Sequence, residues 1–250
     1  MPAISKIKVG DIFKNNEGCF CPVTYYKNSS DVGIVFHGSF AWSTSVRSGN
    51  LVRGNFKNLF HPSVCGVGFM GVGKHKMYKK GLVTREYRIW LGMLQRCYSK
   101  NKKTKSFKVY EDCSVHEDWH NFQVFAEWYT NHEFYNLGYE LDKDIKVKGN
   151  RVYSERTCCL VPAYINLLIH TKQEKVSCLP TGVSNPSKEK YQANLTKHGK
   201  IYNLGRFNSV EEASCAYVKE KEIYVKEEAK RWRSRISEDV FTGLLKWTVY

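Results

Sequence analysis

The sequence lacks the features of a membrane or secreted protein. No stretch approaches the roughly 18 consecutive apolar residues of a transmembrane helix, and residues 1–6 do not lead into the apolar core of a secretory signal. None of the nine cysteines lies in a Cys-x-x-Cys arrangement, and the neighbours Cys158 and Cys159 are too close together for a favourable disulfide. Reduced thiols, no membrane partner and a cytoplasmic location are therefore expected.

Acidic residues are scarce at the start of the chain and concentrated in its middle. Residues 1–108 hold 19 Lys/Arg and 4 Asp/Glu, residues 109–178 hold 7 and 11, and residues 179–250 hold 13 and 9, within a total net charge of +15. Basic flanks neutralise phosphates, and a carboxylate cluster can hold a divalent cation. The distribution favours a metal-dependent enzyme that acts on a polyanion, although a basic protein without such activity fits the net charge equally well.

Short strands separated by Gly, Asn and Ser residues occupy the first 62 positions. We predict strands over 8–13, 20–26, 32–36 and 40–46. Strands of this length and spacing are typical of a small β-barrel. The core of this barrel is predicted to contain the aromatic residues Tyr25, Tyr26, Phe36, Phe40 and Trp42.

A glycine-rich segment follows, in which Gly66–Gly71 matches the G-x-G-x-x-G pattern of dinucleotide-binding folds. That pattern needs a helix directly after it, whereas residues 74–80 are basic and not helix-like. The nucleotide interpretation is therefore rejected, and no small-molecule substrate is expected. The segment is either a flexible arm that contacts DNA phosphates or a solvated loop. The basic residues of this arm are Lys74, Lys76, Lys79 and Lys80.

Two helices and then a strand–turn–strand–helix unit are predicted over residues 86–170. Apolar residues recur at helical spacing over 86–99 and 118–131. Residues 139–145 predict a strand with Glu140, Asp142 and Asp144 on one face, 149–150 a hairpin turn, and 157–161 a buried strand. A helix is predicted over 162–170, with Asn166 pointing back at the strands. The apolar face of this helix is predicted to contain Tyr164, Leu167 and Leu168.

Recurring aromatic and acidic motifs extend from Tyr87 to Asn166. They are Trp90, Met-Leu-Gln-Arg-Cys-Tyr at 93–98, Cys-Ser-Val-His-Glu-Asp-Trp at 113–119, Phe122, Trp128, Leu-Asp-Lys-Asp at 141–144, Gly-Asn at 149–150, Cys-Cys-Leu-Val-Pro at 158–162 and Ile-Asn at 165–166. This stretch resembles the phage-type HNH homing endonucleases. The resemblance implies a ββα nuclease core that binds a divalent cation.

Matched by position, the resemblance implies that Asp142 and Asn166 bind the metal and that Asp144 supports them. Oxygen ligands of this kind favour Mg²⁺ over zinc. HNH enzymes carry a histidine as general base where this chain has Lys143, and a lysine is a poor base because it is protonated at neutral pH. Lys143 either holds the scissile phosphate, or its presence means that cleavage has been lost and only binding remains.

Three short strands and a helix are predicted in the last third of the chain. The strands cover 181–184, 191–196 and 201–207, His198 and Gly199 form the second turn, and Ser209 caps the helix. The pattern Thr-Gly-Val, Tyr-x-Ala-x-Leu and Leu-Gly-x-Phe-x-Ser-x-Glu-Glu-Ala resembles the ethylene-response-factor (Apetala-type) DNA-binding domain. The resemblance implies a three-stranded sheet that packs on one helix and reads the major groove.

Alternation along these strands divides their side chains between two faces. Tyr191, Ala193, Leu195 and Leu204 are predicted to face the helix. Gln192, Asn194, Thr196 and Asn203 are predicted to point outward. The resemblance implies that Ser184, Asn194, Thr196 and Asn203 read bases, and Gln192 is expected to contact DNA beside them. The predicted phosphate-binding positions are Lys190, Lys197, Lys200 and Arg206.

The sequence therefore predicts an α+β protein with a small β-barrel at 1–62, an HNH-like core with a basic arm at 63–175, and an Apetala-type DNA-binding domain with a C-terminal helix at 176–250. The leading hypothesis is a monomeric, sequence-specific homing endonuclease that cuts double-stranded DNA with Mg²⁺ or another divalent cation in the cytoplasm of a bacterial host. The alternative is a catalytically inactive DNA-binding regulator, and an RNA-binding protein is a third hypothesis.

Overall fold

The structure is a computed structural model, and it describes residues 7–38, 40–99, 110–170, 179–187 and 190–249. The chain divides into two compact units, residues 1–130 and 131–250. The boundary falls inside the segment 63–175 that the sequence analysis assigns to one core. Helices and sheets occur in both units, so the expected mixture of α and β structure is confirmed. None of the helices within the described ranges is both long and apolar enough to cross a membrane.

The first unit begins with a four-stranded antiparallel sheet. Its strands are β1 (Ile12–Lys14), β2 (Phe20–Asn28), β3 (Asp31–Phe36) and β4 (Trp42–Val46), and the short helix α1 (Ser48–Val52) follows. Each strand pairs with the next in the order β1-β2-β3-β4. The predicted β-barrel is therefore wrong. A barrel requires the first and last strands to pair, and among the described residues β1, only three residues long, pairs with β2 alone.

The core of this sheet contains fewer aromatic side chains than predicted. Phe36 is buried and stacks on Trp42 with ring centroids 5.7 Å apart, as expected for core residues. Tyr25, Tyr26 and Phe40 are about half exposed, so their predicted core position is wrong. The pairing of β2 with β3 shifts register next to Tyr25, which places its ring against Gly33 rather than in the core.

The rest of the first unit is mainly helical. It comprises β5 (Tyr78–Lys79), β6 (Leu82–Val83), α2 (Arg85–Tyr98), β7 (Ser114–Val115) and α3 (Phe122–Asn131). Both helices predicted from apolar spacing are present, although a 3₁₀ turn replaces the first turn of the second. The indole N–H of Trp90 donates to the carbonyl oxygen of Trp119 at 2.7 Å, and both rings are buried. These two tryptophans fix α2 against the turn that precedes α3.

The second unit contains the predicted strand–turn–strand–helix arrangement and a separate sheet. Its elements are β8 (Glu140–Asp142), β9 (Val152–Tyr153), β10 (Cys159–Val161), α4 (Ala163–Ile169), β11 (Val183–Ser187), β12 (Lys190–Lys197), β13 (Lys200–Phe207), α5 (Val210–Arg231) and α6 (Glu238–Leu245). Strands β8 and β10 pair antiparallel, and β11, β12 and β13 form a three-stranded antiparallel sheet. On α4, Leu168 is buried as predicted, but Leu167 is exposed, because Ile165 and Ile169 form the face that packs on the core.

The three-stranded sheet packs on α5 as the sequence predicts. Ala193 and Leu195 of β12 are buried against Ala213 and Tyr217 of the helix. The hydroxyl of Ser209 accepts a hydrogen bond from the backbone N–H of Glu212, which caps the helix. Because these side chains cover one face of the sheet, the alternate residues lie on the other face, which we name the outer face.

The turn between β12 and β13 also matches its prediction. His198 and Gly199 both have positive φ angles, 48° and 77°, which is the conformation of a type I′ hairpin turn. A left-handed conformation is uncommon for a residue other than glycine, so contacts outside the turn are needed to hold His198 there.

Candidate nucleic-acid interface and candidate metal centre

The outer face is built from two cross-strand rows of polar residues. Ser184 pairs with Gln192, and Gln192 pairs with Arg206, so that these three residues form one row across the sheet. Asn194 and Asn203 pair in the next row. A register shift between Ala193 and Asn194 is what brings Asn203 opposite Asn194. The sheet thus brings together all the predicted base-reading residues except Thr196 in two adjacent rows.

Hydrogen bonds between the two rows and within β13 fix the orientation of the amide groups. Gln192 donates from Nε2 to Oδ1 of Asn194 at 2.9 Å, and Asn194 donates from Nδ2 to the hydroxyl of Ser184 at 3.4 Å. Oδ1 of Asn203 accepts a hydrogen bond from the backbone N–H of Gly205 at 2.9 Å. The amides are therefore held in place before any partner binds.

The rim of the outer face is cationic. Arg206 is exposed, and Lys190 is exposed with its ammonium bonded to the side-chain oxygen of Asn208. Lys200 is exposed as well, but it pairs with Lys197, which places it on the opposite side of the sheet at the hairpin end. Thr196 pairs with Ile201 at the end of the face near the hairpin turn. Strands β11, β12 and β13 contain no Asp or Glu. The three strands therefore offer positive charge and neutral polar groups, with no carboxylate of their own that would repel phosphate.

Lys197 lies on the helix side of the sheet rather than on the outer face. Its ammonium contacts Oε1 of Glu220 on α5 at 2.6 Å and lies 5.1 Å from the centre of the Tyr224 ring. The hydrogen bond to Glu220 raises the pKa of the Lys197 ammonium above its usual value. The predicted phosphate contact of Lys197 stays a prediction, and it requires this ion pair to open.

A buried polar cluster holds the hairpin turn against α5. The side chain of Glu228 is almost fully buried, and its Oε1 lies 3.2 Å from Nε2 of His198 and 3.3 Å from the guanidinium of Arg231. The hydroxyl of Tyr224 accepts the backbone N–H of His198 and lies 2.6 Å from the hydroxyl of Tyr164. These contacts account for the left-handed conformation of His198, and they set the position of the strand ends that carry the outer face.

The strand–turn–strand–helix unit, residues 140–169, carries the predicted nuclease residues. Asp142 is buried at the end of β8, and its Oδ1 accepts the backbone N–H groups of Asp144 and Ile145, both at 2.8 Å. Burial raises the pKa of the Asp142 carboxyl above its usual value, although the two hydrogen bonds oppose the shift. One oxygen of this carboxylate is therefore engaged in shaping the turn after β8.

Lys143 is buried and bonded within the same turn. Its ammonium donates to both carboxylate oxygens of Asp144, at 2.7 and 2.9 Å, and to the carbonyl oxygen of Asn150 at 2.9 Å. The Asn150 amide donates in return to the carbonyl oxygens of Lys143 and Val152. All three protons of the ammonium thus have partners within the protein, so contact with a phosphate would require a rearrangement of this turn.

Asn166 reaches back to the strands as the sequence predicts. Its Nδ2 donates to Oε2 of Glu140 on β8 at 2.6 Å. Its Oδ1 is buried and has no hydrogen-bond partner among the described residues. Glu140 and Asp142 alternate along β8 and share one face, but no hydrogen bond joins Asp142 to Asn166 within the described chain. An amide oxygen without a donor, next to a carboxylate, is the feature here that suits a cation.

The metal site stays a prediction. Across the described ranges, no three side chains of His, Cys, Asp or Glu come together in a group that could hold a metal ion. The predicted ligands Asp142 and Asn166 would offer a carboxylate oxygen and an amide oxygen. Glu140, which is hydrogen-bonded to Asn166 at 2.6 Å, lies nearer to Asn166 than Asp142 does. Sequence reasoning noted Glu140 on this strand but did not assign it to the site.

The glycine-rich arm is anchored rather than loose. Gly71 has a φ of 65°, and a Cβ there would lie 2.1 Å from the side-chain oxygen of Asn121. Gln123 accepts the backbone N–H of His75, and the ammonium of Lys74 pairs with Glu127 at 2.9 Å. The other basic positions of the arm are exposed on or next to the β5–β6 hairpin: Lys76, Lys79 and Lys80.

Sequence reasoning missed the Glu228 cluster and the role of Asn150. Glu228 lies in a helix rich in Lys and Glu, where a solvated position is the ordinary expectation. Its spacing from Tyr217 and Tyr224 places it on the buried face of α5, and that periodicity was the available signal.

No protein-family model, no curated protein and no solved structure matches this chain. The site must therefore be interpreted from its own geometry.

Proposed function

We propose that the chain binds double-stranded DNA through the outer face of the sheet β11–β13. The observation that supports this most is the face itself, an antiparallel sheet whose two rows carry three oriented amides and one hydroxyl, with a cationic rim and no Asp or Glu in its three strands. A β-sheet can enter the major groove, where side-chain amides and hydroxyls contact base edges and basic side chains contact phosphates. The net charge of +15 supports a polyanionic partner.

The test is a titration of the full chain against labelled duplex DNA over a series of salt concentrations. We expect binding that weakens linearly on a logarithmic salt scale, because phosphate contacts release counterions. The double variant Lys190→Ala/Arg206→Ala should weaken binding, whereas Lys219→Ala/Lys246→Ala, which removes the same charge from exposed positions on α5 and directly after α6, should not. Equal losses in both variants would contradict a role for the outer face.

Competition separates DNA from RNA as the partner. Unlabelled RNA of matched length should displace the duplex poorly at physiological salt. Displacement by RNA at lower concentrations than by duplex DNA would favour the RNA-binding alternative.

A second candidate function is metal-dependent cleavage of the bound DNA by residues 140–169. The supporting observation is the buried, unpartnered Oδ1 of Asn166 beside the Glu140 carboxylate. Glu140, Asp142 and Asn166 would hold Mg²⁺, which supplies charge stabilisation at a phosphate when it is bound. The ammonium of Lys143 would have to leave Asp144 to contact that phosphate, so a non-cutting DNA-binding protein is the simpler proposal.

Two measurements test this second candidate independently of each other. Mn²⁺ binding by the chain, followed by electron paramagnetic resonance, should weaken in Asn166→Leu if the site holds a cation. Nicking of plasmid DNA should then require a divalent metal and disappear in the same variant. Metal binding without nicking, or neither, would leave the protein as a DNA-binding protein without cleavage activity.

A further inference from the structure

The amides of the outer face differ in which hydrogen-bonding groups they have left to offer. Oδ1 of Asn194 is engaged by Gln192, and Oδ1 of Asn203 is engaged by the backbone N–H of Gly205. Gln192 uses one proton of its Nε2 and has no bond to its Oε1 within the described chain. Of the three amides in the two rows, Gln192 is thus the one with an unengaged carbonyl oxygen and one remaining N–H.

The free groups of Gln192 match one base. The major-groove edge of adenine presents an acceptor at N7 and a donor at N6, which pair with an amide N–H and an amide oxygen. Guanine presents two acceptors, at N7 and O6. To meet both, Gln192 would need both Nε2 protons, and one of them is committed to Asn194.

The hydrogen bonds to Asn194 and from Asn194 to Ser184 make it unfavourable for the Gln192 amide to turn over and exchange its donor and acceptor positions. Rotating the amide by half a turn would place Oε1 against Oδ1 of Asn194, and two acceptors would then face each other. Asn194 can turn in response only if the Ser184 hydroxyl donates to its Oδ1, and that hydroxyl already donates to the backbone carbonyl oxygen of Gln192 at 3.5 Å. The orientation that suits adenine is therefore the one that the neighbouring side chains stabilise.

We propose that Gln192 reads adenine in the major groove, so that the target of this protein contains an A·T pair at the position under Gln192. The proposal rests on the proposed DNA-binding function and adds a base to it. Arg206, one strand away in the same row, then lies at the edge of the contacted site, where it can hold a phosphate.

The first experiment selects sites from a randomised duplex library with the full chain. Wild-type protein should enrich a site with one fixed A·T pair, and Gln192→Ala should lose the preference at that pair alone. Gln192→Glu carries only acceptors and should move the preference at the same position to cytosine, whose N4 is a donor. A changed preference of this kind cannot arise from a general loss of folding.

The second experiment replaces the adenine of the enriched site with 7-deazaadenine, which lacks the N7 acceptor. Wild-type affinity should fall, by about tenfold as is usual for one lost base contact. Gln192→Ala should bind both duplexes with the same affinity. Thermal unfolding of the variants, with midpoints equal to that of the wild type, serves as the folding control.

The outcomes separate this proposal from the function on which it rests. Salt-sensitive DNA binding without a fixed A·T pair, or a fixed pair that Gln192→Ala leaves unchanged, overturns adenine reading and keeps DNA binding. A fixed G·C pair whose preference depends on Gln192 overturns it as well. Failure to bind duplex DNA at any salt concentration overturns both.

Discussion

Two parts of the second unit carry similar polar side chains and use them in opposite ways. In residues 140–169, the ammonium of Lys143 and one oxygen of Asp142 bond to the protein's own backbone and carboxylates. On the outer face of β11–β13, the side-chain oxygen of Gln192 has no hydrogen bond in the part of the chain that the structure describes, and Arg206 is exposed. Polar groups that are satisfied internally stabilise a fold, whereas oriented and unsatisfied groups at a surface are available to a partner. The comparison therefore favours binding by the sheet over chemistry at Lys143.

The largest expected effect concerns the stability of the turn around Lys143. Lys143→Ala removes a buried ammonium and leaves Asp144 and the carbonyl oxygen of Asn150 without their donor. Losing one partner of such a pair should lower the free energy of unfolding by about 3 kcal/mol. Arg151→Ala, at an exposed position of the same turn, should change it by less than about 0.5 kcal/mol. Chemical denaturation measures both, and equal small effects would show that Lys143 is not structural.

Asp142 provides the next largest effect. Asp142→Ala removes the acceptor for two backbone N–H groups and should cost about 1–3 kcal/mol of unfolding free energy. Asp142→Asn keeps an oxygen in the same place and should cost less. A greater loss in the asparagine variant than in the alanine variant would contradict the role of Oδ1 as the acceptor of the turn.

The raised pKa of Asp142 predicts how the difference in stability between Asp142→Asn and wild type changes with pH. Burial raises the pKa of Asp142 above its ordinary value of 3.8, so the folded protein binds the proton more readily than the unfolded chain. Between 3.8 and the raised folded pKa, the contribution of Asp142 to stability falls as pH rises. Asp142→Asn should therefore gain stability relative to wild type as pH is raised through this window. A constant difference in unfolding free energy across the window would contradict the shift.

Much of this fold is predictable from local sequence patterns. The apolar spacing of α2 and the cap at Ser209 depend on residues close in sequence, and both predictions are confirmed. The barrel prediction failed because closure depends on whether the first and last strands meet, which no local pattern determines. The exposure of Leu167 follows from which face of α4 meets α5, again a question of distant packing.

In the candidate sites, too, the predictions that depend on local pattern succeeded and those that depend on distant contacts did not. Alternation in β12 correctly separated Gln192 from Ala193, because period-two alternation is a property of any strand. It could not show that Lys143 would be buried, since that depends on Asn150, seven residues away across a turn. The residues placed correctly, such as Gln192 on its strand and Asn166 on its helix, are those whose direction follows from local periodicity.

A smaller effect is expected for single charges on the outer face. Arg206→Ala should reduce the slope of log affinity against log salt by about 0.9, the value for one phosphate contact on duplex DNA. Lys219→Ala removes an equal charge from an exposed position on α5 and should leave the slope unchanged. Filter binding over a salt series gives both slopes. An unchanged slope in Arg206→Ala would place the phosphate contacts elsewhere on the molecule.

The smallest effect is expected at Lys197, and it tests how strictly the two faces of the sheet are divided. Lys197 is paired with Glu220 on the helix side, and partly exposed ion pairs of this kind contribute less than about 1 kcal/mol. If Lys197 stays paired with Glu220 when DNA binds, Lys197→Ala should have the same salt slope as the wild type. Adding Lys197→Ala to Arg206→Ala should likewise leave the slope of that variant unchanged. A drop of about 0.9 would mean that Lys197 exchanges a carboxylate for a phosphate on binding. Whether a polar group can contact DNA would then depend on the partner as well as on its bonds in the unbound protein. The internal hydrogen bonds of Lys143 would in that case not count against its contact with a phosphate.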